Sequence, residues 1–515
     1  MSRFGRLPAI VPTRRLRILV QAMVFALWVA LIVATSHPVD SWLARHVPVS
    51  LFLRADPLVT TVVCGGMRVA VTITLLGFVT LAITVVLGRV FCGWLCPLGT
   101  IFDAWGWVLQ RLRVRIEGPS PGWFRLKYYL LACILVFAIF GAVSPLMGLD
   151  PIVLLTRSAA AIAYPLARRA PELVWKAGQA PGAYSRLVDL GTLVLFLGIL
   201  AATTRLSRVW CRTSCPLGAY LAVASRQAVL RRETDGCVHC NICAHHCPTG
   251  AIDFADETRY NESECIKCYT CSQVCPVDAN YFTVAPPFAA ESPSRAPVSL
   301  ERRTLLATVG ATLASFPVLR LDAGEPKKSK ILVRPPMARE EADFLTSCIR
   351  CDECVKACPT GILKPAGLEH GLRALWTPVM VATEGPCLKE CNACSQVCPT
   401  DAILKYPLEK KYAYKAGTAV LESSRCISYS ENKFCSECVR ACPTNAIAVS
   451  PGWEPEGGRG ADAAAPEGQV PKRPTRVAFD LCIGCGACEY ECNQVVYGES
   501  AMVTTSFGRA VPTGF

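Results

Sequence analysis

The sequence predicts an α-helical transmembrane bundle of four helices, with a fifth crossing near mid-chain, joined to small cysteine-rich α+β domains. Three observations carry this expectation. Of the 515 residues, 52% are hydrophobic, and the mean hydropathy is +0.34, too apolar for an ordinary soluble chain of this length. Four apolar runs, Ile18–Thr35, Val69–Leu87, Tyr128–Met147 and Leu187–Leu206, approach the ~20 residues that a spanning helix needs. The 30 cysteines gather into repeated, closely spaced tetrads, a pattern of ligands and not of the disulfide framework of a small secreted domain.

Arg14, Arg15 and Arg17 precede the first run, which places the N-terminus in the cytoplasm. That run ends without a small-residue cleavage site and reads as an anchor. A loop with His37, Asp40 and His46 follows outside; the second run returns, the third leaves after the basic stretch Arg111 to Lys127, and the fourth comes back to Arg205 and Arg208. The outer loop 148–186 carries Arg157, Arg168, Arg169 and Lys176 and is read as holding an interfacial helix. The net charge is +13, but its arginines cluster beside apolar runs (Arg14, Arg15, Arg17; Arg111, Arg113, Arg115; Arg231, Arg232). Topology accounts for them, and no nucleic-acid partner is expected.

The second and fourth runs end alike, in Arg89-Val90-Phe91-Cys92-Gly93-Trp94-Leu95-Cys96-Pro97-Leu98-Gly99 and Arg208-Val209-Trp210-Cys211-Arg212-Thr213-Ser214-Cys215-Pro216-Leu217-Gly218. This internal repeat brings two C-x3-C-P pairs to one membrane face and suggests two related helix pairs. Cys92, Cys96, Cys211 and Cys215 could hold a further iron–sulfur cluster, a soft metal such as Cu(I), or redox-active disulfides. A bare helix-terminating turn would not need cysteines twice. Cys64 and Cys133 stand alone and read as buried small residues, and Trp94, Trp105 and Trp107 as interface markers.

Residues 237–280 contain two successive C-x2-C-x2-C-x3-C-P runs, the bacterial ferredoxin pattern, in which the fourth cysteine of each run serves the neighbouring [4Fe-4S] cluster. One cluster is assigned to Cys237, Cys240, Cys243 and Cys275, the other to Cys265, Cys268, Cys271 and Cys247. Zinc sites favour separated pairs instead. His239, His245 and His246 within these loops read as surface residues. A proline-rich stretch, Ala285 to Ser299, leads to Arg302-Arg303 and a mild apolar run ending at Leu321. It resembles a twin-arginine export signal in an internal position, without the usual Phe and Lys, and is read as the fifth crossing in preference to a cytoplasmic amphipathic helix.

Four further tetrads follow: Cys348, Cys351, Cys354, Cys358; Cys387, Cys391, Cys394, Cys398; Cys426, Cys435, Cys438, Cys442; and Cys482, Cys485, Cys488, Cys492, with Asn493 replacing the usual proline. Neighbouring tetrads could exchange their fourth cysteines, or the outer tetrads could pair and the inner ones likewise. A Gly/Pro/Ala-rich stretch, Pro451 to Pro474, reads as a surface loop. The domains are thus 1–235, membrane helices with both C-x3-C-P motifs; 236–285, a two-cluster ferredoxin-like domain; 286–330, a linker; and 331–515, a four-cluster ferredoxin-like domain.

Six [4Fe-4S] clusters in one chain suit an electron conductor. The sequence has no C-x-x-C-H for covalent haem and no Gly-rich dinucleotide fingerprint, so electrons must come from partners or a lipid-soluble carrier, for which quinol is the natural candidate. His37, Asp40 and His46 are weak candidates for its proton acceptor, and the catalytic residues stay unknown.

The N-terminal portion, with FCGWLCPLG and WCRTSCPLG ahead of a two-cluster run, resembles the NapH and MauN type of membrane ferredoxin and shares C-x3-C-P with the NosR family. The portion from Glu301 resembles the NapG and MauM type, so the whole chain resembles a fusion of the two. The resemblance implies a protein of the bacterial inner (cytoplasmic) membrane that oxidises quinol and passes electrons to a periplasmic c-type cytochrome or reductase. Its two-cluster domain would be cytoplasmic and its four-cluster domain periplasmic. The competing expectations are a maturation factor handling copper or thiols at the C-x3-C-P motifs, and an anchor and cluster wire within a larger respiratory complex.

Overall fold

The computed structural model describes residues 14–35, 48, 50–67, 75–113, 124–140, 143–159, 183–284, 300–321, 332–430, 435–448, 476–496 and 499–509. His37, Asp40, His46, Arg168, Arg169, Lys176 and the stretch 451–474 lie outside them. Two compact units result.

The first unit holds the apolar helices and the first two cysteine runs. Its helices are α1 (Arg14–Thr35), α2 (Pro57–Met67), α3 (Leu75–Leu87), α4 (Pro97–Arg111), α5 (Leu126–Ile139), α6 (151–159), α7 (Ala183–Ala202), α8 (Pro216–Ala224) and α9 (Arg302–Leu321). Among the described residues α1 alone is long and apolar enough to cross a membrane; α2, α3, α5 and the described part of α7 are shorter apolar helices. The third run therefore ends its helix at Ile139 and continues as a 3-10 turn over Pro145–Leu149. Helices α4 and α8 begin where the repeat requires, with Cys96 and Cys215 at the N-cap and Pro97 and Pro216 at the first helical position, where a missing N–H costs nothing.

Two sequence expectations need correction. The described part of loop 148–186 is not interfacial: 152–158 are buried, Arg157 included. Some of the charges read as topological are internal, since Lys127, Arg208, Arg231 and Arg232 are buried, as is Arg89, whereas Arg14, Arg15, Arg111 and Arg113 are exposed. A buried cation needs a fixed anionic or carbonyl partner, and each partner described below sets a contact between segments far apart in the chain.

Helix α9 lies along α5. Glu301 pairs with Arg125 at 2.5 Å near the start of both helices, the Thr312 hydroxyl is 3.1 Å from the Cys133 thiol, and Phe316 stacks on Phe137 and Phe140 at 4.9 Å near their ends. The two helices thus run in the same direction. Strands β1 (Leu230–Thr234) and β2 (Asn280–Val284) pair antiparallel and close the first two-run module at its base.

The second unit contains the other four tetrads on a scaffold of short antiparallel pairs: β3 (Leu363–Pro365) with β4 (Pro378–Met380), β5 (Thr418–Leu421) with β8 (Met502–Thr505), and β6 (Ile447–Ala448) with β7 (Arg476–Val477). The start of this unit is held to the C-terminal segment through Arg509, which donates to the Ala338 and Arg339 carbonyls at 2.7 Å. Arg334, fully buried, holds Glu341 at 2.6 Å and the Pro378 carbonyl at 2.8 Å, with its guanidinium over the Phe344 ring.

Candidate iron–sulfur sites

Each regular C-x2-C-x2-C run wraps through two left-handed residues: His239 and Asn241, Lys267 and Tyr269, Arg350 and Asp352, and Gly484 and Gly486. Alternating the backbone hand in this way turns successive N–H groups toward one point and makes an anion-binding nest, the cradle a negatively charged cluster needs. After the fourth cysteine the chain turns so that a main-chain N–H reaches back to sulfur, at 3.2 Å from Ala251 to Cys247, Ala279 to Cys275 and Ala446 to Cys442. The threonine two residues on adds a contact in the Cys-Pro-Thr segments, as at Cys358 to Thr360, 3.6 Å.

Four cavities show which thiols converge. One is lined by Cys265, Cys268, Cys271 and Cys247, the set expected from the sequence. Cys243 lies in the field of Cys237, and Asn280 hydrogen-bonds both Cys243 and Cys275. In the second unit, Cys387, Cys391 and Cys394 face one cavity with Cys358, while Cys354 feels Cys351, Cys348 and Cys398. Cys482, Cys485 and Cys488 face another with Cys442, and Cys426, Cys435 and Cys438 a third with Cys492. Of the two open alternatives, the geometry is that of neighbouring tetrads exchanging their fourth cysteines. The two exchanged modules touch through main chain, Cys387 N–H to the Cys485 carbonyl at 2.8 Å.

Burial pushes the Cys351, Cys354, Cys394 and Cys488 thiols well above the ordinary range. Such thiols ionise when a metal replaces the proton. Together with the nests and the convergent sulfurs, these sets fit [4Fe-4S] clusters, which would supply one-electron carriers.

The second tetrad, with its widened first gap, has no left-handed pair. Lys411 takes over: buried, it donates to Cys387 Sγ at 3.4 Å, to the Cys391 carbonyl at 2.6 Å and to the Leu388 carbonyl. Sequence spacing does not reveal this lysine, 20 residues beyond Cys391. Lys411→Met is expected to lower one cluster's reduction potential by ~60–120 mV, equivalent to the ~1.5–3 kcal/mol of a charged hydrogen bond at one electron. An EPR-monitored redox titration checks it; a shift below ~20 mV would show that the lysine only fills space.

The C-x3-C-P repeat folds onto the first module. Phe91–Leu95 forms a π-helical turn, and at Gly93 any Cβ would collide with the Ile266 carbonyl, so glycine is needed for the Cys92–Cys96 loop to meet the Cys265–Cys268 loop. Trp94 donates its indole N–H to the Lys267 carbonyl at 3.0 Å and sets its ring edge-on to Tyr269. It is a docking residue and not the interface marker expected; Trp105 bonds the Leu200 carbonyl at 3.2 Å, and Trp107 is exposed. The second loop docks likewise, through Ser207 to the Pro248 carbonyl at 3.2 Å and Arg212 against Gly250.

The two repeat arginines cross over. Arg208 reaches the Cys92 and Gly99 carbonyls of the first repeat, both at 3.2 Å, and pairs with Asp103 at 2.7 Å. Arg89 lies beside Cys215 and Gly218 of the second and continues to the Ser263 carbonyl at 2.9 Å and Glu264 at 3.2 Å. Glu264 also accepts from Lys127 at 2.5 Å and Tyr128 at 2.9 Å. From α1, Arg17 and Gln21 both donate to the Gly93 carbonyl at 3.1 Å, so the start of α1 lies at the level of the cysteine loops. Cys96, Cys211 and Cys215 each feel Cys92, so the four thiols gather. No three of them come within 4.8 Å of one another, the convergence a single tetrahedral ion requires, and all are free thiols. The convergent ferredoxin-type sets are equally open. His239 bonds Glu257 at 2.9 Å, His245 meets Phe254 edge to face, and His246 is exposed.

Repeated thiol nests on short antiparallel pairs define a polyferredoxin, an iron–sulfur electron-transfer protein. A family model described as "4Fe-4S dicluster domain" matches residues 236–279, 347–402 and 433–496, and one described as "4Fe-4S binding domain" matches 69–115 and 188–233, spanning the two C-x3-C-P segments. The ferredoxin-type protein NapG of Escherichia coli is 35% identical over 192 residues, 37% of this chain and 78% of that protein. The methylamine utilization ferredoxin-type protein MauM of Methylorubrum extorquens is 33% identical over 213 residues, 40% of this chain and 89% of that protein. MauN of Methylobacillus flagellatus is 27% identical over 164 residues, 31% of this chain and 48% of that protein. The chain belongs to the ferredoxin-type proteins of the NapG and MauM type. No solved structure matches it.

Proposed function

We propose that the protein oxidises a membrane quinol and passes the electrons singly through six [4Fe-4S] clusters to a periplasmic c-type cytochrome or reductase. Helices α1, α3, α5 and α7 form the membrane bundle of the bacterial inner membrane, and α9 is the fifth crossing. The parallel course of α9 and α5 supports an outward crossing, which takes the four-cluster unit to the periplasm and leaves the two-cluster module in the cytoplasm. Cys92, Cys96, Cys211 and Cys215 would hold a further cluster. Their open spacing, like that of the ferredoxin-type sets, supports this over a single copper ion.

The observation that carries the reading is the side-chain-free contact at Gly93 between the Cys92–Cys96 loop and the Cys265–Cys268 loop. It joins the apolar helices to the cluster loops with no intervening carrier, so a quinol held among the helices is one loop away from the first electron acceptor. The test is anaerobic: the purified, oxidised protein is mixed separately with ubiquinol and menaquinol analogues, and cluster reduction is followed by visible absorbance and EPR. Reduction by one quinol, blocked by a quinone-site inhibitor, is expected. Clusters that dithionite reduces but neither quinol does would overturn the proposal, and stoichiometric copper binding lost in a Cys92→Ala/Cys96→Ala variant would point to metal handling instead.

A further inference from the structure

Asp56 and Asp150 are fully buried in the first unit, and each opens a helix with a similar local sequence, Asp56-Pro57-Leu58-Val59 at α2 and Asp150-Pro151-Ile152-Val153 at α6. The repeat of the C-x3-C-P loops thus extends to a second pair of positions. In each, Oδ1 caps the helix: Asp56 accepts from Leu58 and Val59 N–H at 2.8 and 3.2 Å, Asp150 from Ile152 and Val153 N–H at 2.9 and 3.3 Å. Neither Oδ2 has a hydrogen-bond donor, and the two carboxyls lie close enough to act on each other directly. Two like charges this close in a dry site cannot both ionise, so the pair needs a proton between them.

Among the described residues no lysine or arginine forms an ion pair with either carboxyl. The wall is closed at α3, where a Cβ on Gly77 would come within 2.9 Å of the Asp56 carbonyl. The other ionisable side chains on the elements packed around the pair are Cys64 on α2, Lys127, Tyr128, Tyr129 and Cys133 on α5, Arg157 on α6, Arg54 just before α2, and Tyr220 on α8, whose hydroxyl bonds Thr61 at 2.7 Å; Lys127 and Tyr128 are engaged by Glu264, and Arg54 bonds Ser50. The Cys215 thiol feels the field of Asp150, so the pair lies near the four-thiol site.

We propose that Asp56 and Asp150 share one proton and form the proton-accepting site of the membrane unit. The role rests on the quinol reading above. Each quinol loses two electrons and two protons. The pair, holding one proton at rest, accepts a second as a quinol O–H bond breaks and passes it to solvent before taking the next, while the electrons go singly to the thiolate-bound iron.

Infrared spectroscopy of the oxidised full chain tests the shared proton directly. A buried carboxylic C=O band that shifts in D2O is expected in the wild type and is absent from Asp56→Asn and from Asp150→Asn. In both variants quinol-driven cluster reduction falls by ~100-fold or more, with dithionite reduction and iron content unchanged. Absence of the band from the wild type overturns the shared proton without needing any variant. Variants reduced by quinol at the wild-type rate overturn the accepting role. If no quinol reduces the wild type, the quinol reading and the accepting role fall together, and the infrared band alone decides whether the proton is shared.

Discussion

Replacing Glu264 by glutamine is expected to lower the midpoint of thermal cluster bleaching by ~10 °C, which follows from a loss of about 3–5 kcal/mol when one partner leaves a buried ion pair. Lys127 and Arg89 both meet on this carboxylate, and neither has access to water. The glutamine keeps the shape and leaves two buried cations without an anion. Anaerobic heating followed by iron–sulfur absorbance measures the effect, and an unchanged midpoint would mean that the cations are solvated. The pH dependence follows from the same contacts. Burial pushes the Glu264 carboxyl up, but Lys127 and Arg89 outweigh it and hold the group below its usual value. Its folded-state value is therefore depressed, so its stabilisation is complete above the ordinary carboxylate value, about 4.3, and is lost as pH falls through the lower folded value. The acid limb of wild-type stability should contain this loss, and that of Glu264→Gln should lack it.

Cys358→Ala should remove about four irons, and the cluster lost should not be that of Cys348, Cys351 and Cys354, beside which Cys358 stands in the sequence. Cys358 lines the cavity of Cys387, Cys391 and Cys394, the one that Lys411 supports. The EPR signal that moves in Lys411→Met is therefore expected to vanish in Cys358→Ala and to persist in Cys398→Ala. The reverse assignment would overturn the exchange of fourth cysteines.

Much of this was legible in the sequence because it is local. A C-x2-C-x2-C run fixes its own nest within seven residues, and the doubled C-x3-C-P motif announces its own repeat. What could not be read depends on contacts made far along the chain. Glu264 finds Lys127 137 residues away, and Lys411 finds Cys387 24 residues back. Spacing is silent about both. Arg208 reads as a topological charge, since an arginine at the end of an apolar run serves topology in most membrane helices, and here it is turned inward by carbonyls and a carboxylate.

The hydrogen bond from Cys387 to Cys485 separates the order of reading from the order of travel. Counted along the chain, the thiol sets of the second unit run first, second, third, fourth. Counted by which loops adjoin, they run first, second, fourth, third, so the motif nearest the C-terminus is an interior station. The outlet of such a relay is then the set anchored by Cys426, Cys435 and Cys438, or, at the opposite end, that of Cys348, Cys351 and Cys354. A truncation meant to shorten the relay from the C-terminus would instead cut it in the middle.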